Sequence, residues 1–470
     1  MGLNSYKKLL NNSLIFALGD IGSKGITLLL VPLYTFYLSQ SEYGLIDVIQ
    51  VTINLIVPIV SLSIFEAVLR FVMDKKDISS IFTNCFFITC ISSLFTIFVF
   101  TILYFIGDYN HNILPYVCIV IVLQLFQLLY SQFIRGIGKV SLFAFNGLLI
   151  ALTTALMSLV FIVWLNQGIE GYLLSIIIGL SVSVIYINLR VNTFKFIKFS
   201  SLSLNISRNL LSYSLPLMPN SIMWWIINAS SRYFILIFAG PAHNGLFAVA
   251  SKIPSLLSIF NSIFFKAWQL SAIEEYDSKD KAIFYSRIFN FLQQFLFIVT
   301  AAIVLFLKFI FEYALESNFF TAWKYVPFLL IAVLFSCFSS FLGTNYIASK
   351  ETSGVFKTSL IGGITNLVLN MITIPIFGAI GASFSSMISF LVMAIIRWHD
   401  TKKYIIIKYN YRNLFYNMSL ILMQITTMYL SLDRIIEFTV QLFLFCLILL
   451  NNKEVIKSAV KLLKFQTKKN

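Results

Sequence analysis

The decapeptide YLSQSEYGLI at residues 37–46 returns in altered form as FAGPAHNGLF at residues 238–247, with Gly44 aligned on Gly245. Each joins two long apolar runs, so each reads as the turn between two membrane-crossing helices. Two further turns repeat. GIEG at 168–171 matches GAIG at 378–381, and the basic turn IRGIGK at 134–139 lies where IASK lies at 347–350. The offsets are 201, 210 and about 213 residues, six helices each time. Six is even, so the two copies share one direction through the membrane and should relate by an axis along its normal. Duplicated bundles of this kind are a transporter architecture with the substrate site between the halves.

Composition agrees. Of the 470 residues, 59% are apolar and only 11% are charged, where a soluble domain carries about 25% charged residues. A soluble enzyme is excluded at once. About 20 apolar residues span a hydrocarbon core. Hydropathy punctuated by Gly, Pro and charge places candidate helices at 14–38, 44–71, 79–106, 112–134, 142–165, 170–190, 214–238, 246–273, 284–311, 324–349, 354–377, 379–398, 413–431 and 433–450. The expected fold is therefore an all-α polytopic membrane protein of about fourteen transmembrane helices. Residues 1–205 form one six-helix lobe and 206–400 the other; 401–470 hold two extra helices and a basic tail. No connecting loop exceeds about two dozen residues, too few for an extramembrane catalytic domain.

The net charge is +15, from 34 Lys and Arg against 19 Asp and Glu. Its distribution is one-sided. The loops on the side of the termini hold 27 of the 34 basic residues, while the opposite loops hold only Lys324 and Arg434, with Lys308 near that side. By the positive-inside bias both termini are cytoplasmic. The basic excess then reports topology and contact with anionic membrane lipid, not a nucleic-acid partner. Cys85, Cys90, Cys118, Cys337 and Cys446 sit inside apolar runs, and His111, His243 and His399 have no ligand-spaced partners, so no metal or other cofactor is expected. Asp20 and Lys24 interrupt the first apolar run and no small-residue cleavage site follows, which marks a transmembrane helix and not a removed signal.

Charges inside spans are costly and normally face a bundle interior or a wet cavity. They are Asp20 and Lys24 in span 1, Asp47 and Glu66 in span 2, Arg232 in span 7, and Lys252 and Lys266 in span 8. Asp20 and Lys24, four apart, share a helix face and can pair; Glu66 can pair with Arg70. Lys24 lies roughly 15 Å into its span, near the midplane, and Lys252 roughly 9 Å below the outer end of span 8. The basic residues among these intramembrane charges all belong to spans 1, 7 and 8, the first helices of each half. A positive site between two bundles wants an anionic ligand. Asn220, Trp224 and Asn228 recur at steps of four ahead of Arg232, and amides beside an indole face suit sugar rings. Aromatic belts and helix-packing Asn give such residues a structural reading as well.

The opening NSLIFALGDIGSK at 12–24, continued by LVPLY at 30–34 and by SEYGL at 41–45, resembles the first hairpin of bacterial polysaccharide-unit flippases, and GAIGA at 378–382 resembles that family's recurring Gly-x-x-Gly-Ala turn. These are the O-antigen or capsule repeat-unit translocases of the multidrug/oligosaccharidyl-lipid/polysaccharide exporter superfamily. The resemblance implies two lobes around a central cavity. It also implies flipping of an undecaprenyl-diphosphate-linked oligosaccharide to the outer leaflet of the bacterial inner membrane, in partnership with polysaccharide polymerase and chain-length machinery. Cavity-facing cations in the first and eighth helices, a family trait, match Lys24 and Lys252. Lys24, Arg232, Lys252 and Lys266 are thus candidates for the diphosphate, Asn220, Trp224 and Asn228 for the glycan, and Asp20, Asp47 and Glu66 for ion coupling. A cation-coupled drug antiporter of the same superfamily is the competing reading and wants an acid-rich cavity. A membrane glycosyltransferase would want a long outward loop with paired carboxylates, which is missing. Alkaline phosphatase fused after Asn470 is expected to be inactive; activity there would place the C-terminus outside.

Overall fold

The computed structural model describes residues 3–73, 77–106, 112–276, 278–349, 353–430 and 432–453; the side chains of residues 3–18, 20, 220, 224, 227, 228, 266, 267, 270, 273 and 274 lie outside that description. The described residues form sixteen α-helices. They are α1 (Leu3–Tyr37), α2 (Gln40–Val60), α3 (Ile64–Met73), α4 (Ile78–Ile106), α5 (Leu114–Gly136), α6 (Val140–Ser158), α7 (Gly168–Val191) and α8 (Leu204–Ser214). After them come α9 (Leu217–Ala239), α10 (Pro241–Glu275), α11 (Lys281–Tyr313), α12 (Val326–Ala348), α13 (Ser353–Phe377), α14 (Ala379–Asp400), α15 (Tyr411–Tyr429) and α16 (Arg434–Asn451). A helix occupies each of the fourteen expected positions. Among the described residues eleven helices are long and apolar enough to cross a membrane. The others are α1 and α9, whose side chains are only partly described, and α15, whose Asn413, Asn417 and Gln424 dilute its apolar face.

Two elements depart from expectation. Span 2 is not one helix over 44–71 but breaks between α2 and α3. Pro58 has no N–H to continue the ladder, and Leu62 and Ser63 take left-handed φ values of 52° and 53°. The break stays satisfied in place, because the Ser63 amide donates to the Pro58 carbonyl at 3.0 Å. Beyond it, α3 turns Ile64, Ala67, Val68 and Val72 inward at helical spacing, packing on α5 where Gly136 would bring a Cβ to 3.0 Å from Val72. The second departure is α8, which lies within the stretch expected to link the lobes. Two buried polar residues of α4 hold that stretch. Thr83 donates to the Phe196 carbonyl and accepts from the Lys198 amide, both at 3.0 Å. Asn84 donates to the Ser201 carbonyl at 3.0 Å and accepts from the Ser203 amide at 3.0 Å and the Ser207 hydroxyl at 2.9 Å.

By backbone packing the chain divides into two compact units, Met1–Tyr233 and Phe234–Asn470. In the first unit α7 packs on α5 and α6, and α5 also carries α3 and α4. In the second, α14 packs on α12 and α13, and α12 also carries α10 and α11. These are the same pairings six spans apart, which is what the repeated turns imply. The turns themselves do the same work twice. Gly168 and Gly378 both have positive φ, 53° and 58°, a conformation costly for a side chain with a Cβ. Three residues on, a Cβ at Gly171 would press on Phe161 and one at Gly381 on the Thr373 carbonyl. Gly44 and Gly245 are each the fifth residue of their helices, α2 and α10, and both are buried.

In the first unit α1 lies along α6, with Gly19 against Ala144 and Gly22 against Leu148. Small residues allow such close approach where lipid supplies no hydrophobic drive between helices. In the second unit the two helices outside the repeat, α15 and α16, pack on α11. Buried amides fasten them. Asn417 donates to Asn413 at 2.9 Å and to Asn452 at 3.1 Å, and Asn452 donates back to Asn417 at 2.9 Å. At the other end of α16, Lys308 of α11 pairs with Glu437 at 2.8 Å. Arg397 is also inside, at the end of α14, 5% exposed. Its guanidinium donates to the Thr358 hydroxyl and the Ser339 carbonyl at 2.9 Å each, joining α12, α13 and α14. Removing one member of the amide network strands its neighbours without partners. Asn417→Ala should therefore lose about 1–3 kcal/mol, read as a lower melting temperature in detergent, with Thr426→Ala on the exposed side of α15 unchanged.

Candidate substrate site

The motifs that carry the family resemblance build scaffold. In LVPLY, the side chains of Leu30, Val31 and Tyr34 are buried. The Tyr34 hydroxyl meets the Ser158 hydroxyl at 3.0 Å, and its ring stands edge-on to Tyr172 with centroids 5.3 Å apart. In the Glu-Tyr-Gly turn, Glu42 and Ser39 form a reciprocal cap on α2. Tyr43 is buried beside Tyr34, and a Cβ at Gly168 would come within 2.7 Å of the Glu42 carboxylate. Turn glycines and buried tyrosines fix where α1, α2 and α7 meet, and the charged residues ride on that frame.

Lys24 is exposed on α1. Gly22 and Gly19 face α6, and Lys24 is two residues past Gly22, about 200° around the helix. A Cβ at the adjacent Gly25 would meet nothing within 4 Å. The α1 helix thus presents its packed face to α6 and its lysine away from it. Lys252 is half-buried in α10, two residues before Pro254. Glu66 falls beyond the break, in the first turn of α3, where a carboxylate favours the positive end of the helix dipole. Asp20, Asn220, Trp224, Asn228 and Lys266 lie on α1, α9 and α10, with side chains outside the described set.

One pair of candidate residues is brought together. Arg232 of α9 donates from Nε to Asp47 of α2 at 3.1 Å, with the two side chains 16% and 12% exposed. Helical spacing found no carboxylate for Arg232 because its partner is 185 residues away. The pair is the charged rung of a short ladder. Trp225 donates from its indole N–H to the Val51 carbonyl at 2.6 Å. Tyr233 and Thr52 meet hydroxyl to hydroxyl, and the Trp225 and Tyr233 rings are edge to face at 5.5 Å. Trp225, Tyr233, Val51 and Thr52 were not singled out from sequence, since aromatics and Thr are common in apolar helices. The signal available was their spacing: 47 and 51 share one face of α2, and 225 and 232 one face of α9. Asp47 and Arg232 neutralise one another, so this part of the site presents a balanced pair and not a bare cation.

The helix order and packing are similar to those of solved membrane transporters. A structure of the lipid II flippase MurJ in an inward closed conformation superposes with a TM-score of 0.69 at 12% identity, covering 95% of this chain and 99% of that one. An outward-facing multidrug resistance MATE transporter gives 0.60 at 14% identity, covering 84% and 95%. A MOP superfamily transporter from Pyrococcus furiosus Vc1 (DSM3638) gives 0.57 at 14% identity, covering 84% and 96%. These likenesses show a fold that this chain shares with solved membrane transporters. Residues 9–269, more than half of the chain, match the polysaccharide biosynthesis protein family, and the chain belongs to that family. No curated protein matches it in sequence.

Neutralising one member of a shielded ion pair leaves the other charge uncompensated. Asp47→Asn and Arg232→Gln should each lower the melting temperature and impair transport. The double variant should lose less than the sum of the two, and the exchange Asp47→Arg with Arg232→Asp should recover part of the function. Strict additivity in a double-mutant cycle would show that the two do not interact.

Proposed function

We propose that the protein flips an undecaprenyl-diphosphate-linked oligosaccharide repeat unit from the cytoplasmic to the outer leaflet of the bacterial inner membrane by alternating access. Both termini are cytoplasmic in this reading, and residues 1–205 and 206–400 are the two lobes. The observation that carries it is Lys24. This chain, a member of a family tied to polysaccharide biosynthesis, carries Lys24 near the middle of its first apolar helix, exposed on the side away from α6. A fixed cation at that depth is expensive unless it faces a wet cavity or an anionic ligand, and a lipid diphosphate is such a ligand. MurJ, whose fold this chain shares, is a lipid II flippase; this supports a lipid-linked substrate here.

In this mechanism the diphosphate meets Lys24 midway and Lys252 late on its way outward, with Lys266 as a further cation. Arg232 contributes only when the substrate displaces Asp47 from it. The glycan takes the amides and indole of Asn220, Trp224 and Asn228, while the prenyl chain stays in lipid. The drug-antiporter reading needs an acid free to bind a coupling ion. Asp47, one of the three acids considered for ion coupling, is already held by Arg232, which favours the flippase.

Loss of one charged partner in a low-dielectric site costs several kcal/mol. Lys24→Ala and Lys252→Ala should therefore insert at normal levels yet fail to complement a strain lacking its surface-polysaccharide flippase. Lys→Arg at either position should keep partial function, and Lys457→Ala in the tail should be silent. Full complementation by the Lys24→Ala, Lys252→Ala double variant would exclude the mechanism.

A further inference from the structure

The α5–α6 turn and the end of α7 enclose a groove of about 520 Å³ in the first unit. Its lining includes Gly138, Lys139 and Ser141 from the turn and first residues of α6, Phe145 one turn on, and Tyr186 and Arg190 from the last turns of α7. No carboxylate lines it, and neither Lys139 nor Arg190 forms an ion pair with a described residue. Every charge in the groove is positive. The Arg190 guanidinium lies over the Tyr186 ring, 5.6 Å from its centre. Tyr186 packs on Phe145 with centroids 5.5 Å apart, and Phe145 is 50% exposed. Lys139 is the N-cap of α6 and no side chain caps that terminus, so the first amides of the helix are left as donors toward the same end.

The second unit shows what an arginine does at this end of the helix when it serves the fold alone. Arg397, in the last turn of α14, is buried and holds Thr358, Ser359 and the Ser339 carbonyl. Arg190 occupies the last turn of α7, the repeat counterpart of α14, but is exposed and rests only on an aromatic ring. It lines the groove together with a second cation, Lys139. Two cations, hydroxyls from Ser141 and Tyr186, an uncapped helix start and an apolar floor combine the features that bind a phosphate ester held at a membrane surface.

We infer that this groove is a phosphate-binding site for a group presented at the cytoplasmic membrane surface, separate from the diphosphate site of Lys24 and Lys252. It rests on the topology proposed above and not on the identity of the transported lipid. The phosphate can come from a lipid headgroup or from free phosphate, and the test separates the two.

Wild type and the Lys139→Gln, Arg190→Gln variant, purified in a neutral detergent, are titrated with phosphatidylglycerol, with phosphatidylcholine as the neutral-headgroup control, and with inorganic phosphate. Bound molecules are counted by native mass spectrometry. The wild type should retain phosphatidylglycerol over phosphatidylcholine, and the variant should bind it about tenfold or more weakly, as expected for loss of charge-assisted hydrogen bonds. Arg190→Lys should fall between them. Loss of inorganic phosphate binding in the variant, without a difference for phosphatidylglycerol, would assign the same groove to a soluble phosphate. The variant's elution profile and helical content must match the wild type's, and the single variants Lys139→Gln and Arg190→Gln provide a second pair if they do not. Equal binding of both probes by wild type and a folded variant would overturn the inference. The complementation assay of Lys24 and Lys252 is independent of this result, so either reading can fail alone.

Discussion

Every main-chain N–H and C=O that enters hydrocarbon must find its partner within the protein, and the architecture follows from that constraint. It makes the spans helical and confines irregular backbone to places where side chains or carbonyls stand in for the missing ladder. The break between α2 and α3 is tolerated because the Ser63 amide reaches the Pro58 carbonyl. The segment between α7 and α8, outside the expected spans, is held in the same way: Thr83 and Asn84 bond two of its amides and two of its carbonyls. The same constraint explains why the repeat is visible chiefly in its turns. Apolar helix faces can exchange Leu, Ile and Phe freely, whereas a left-handed turn residue and a close helix approach both require glycine, as at Gly168 and Gly171 and again at Gly378 and Gly381.

Charge within the membrane is handled in three ways, and the differences carry the functional argument. Lys308 with Glu437 and Arg232 with Asp47 are neutralised by a carboxylate from another helix. Arg397 is satisfied by neutral acceptors, hydroxyls and carbonyls from two neighbouring helices. Lys24 is presented on an open helix face beside a glycine whose side is empty. Pairs and buried donors stabilise particular helix contacts. A lysine held at depth on an open face is the arrangement that suits a mobile anion. The Asp47–Arg232 pair adds a condition: an anion that uses Arg232 must first compete with a carboxylate already at 3.1 Å.

The residues that carry the family resemblance and the charged residues proposed to meet the substrate are different sets. Tyr34, Tyr43, Gly44 and Glu42, which lie in the motifs that carry the resemblance, set the geometry of the first hairpin. This is the reason a short motif match establishes fold and family more firmly than it establishes a substrate.

Class of protein and most helix positions were legible in the residues alone, because hydrocarbon imposes length and apolarity locally, and the turn glycines, readable one by one, pointed to a six-helix repeat. The sequence also marked Lys24, Asp47, Arg232 and Lys252 as unusual, because a charge in an apolar run needs no structure to be noticed. What it did not contain was who meets whom. The pairing of Asp47 with Arg232, the burial of Arg397, the docking of the 193–214 stretch on Thr83 and Asn84, and the groove between Lys139 and Arg190 all join residues dozens to hundreds of positions apart. Helical periodicity relates a residue only to its neighbours within a few turns. Contacts between helices depend on which faces pack and at what depth, and only the tertiary structure decides that.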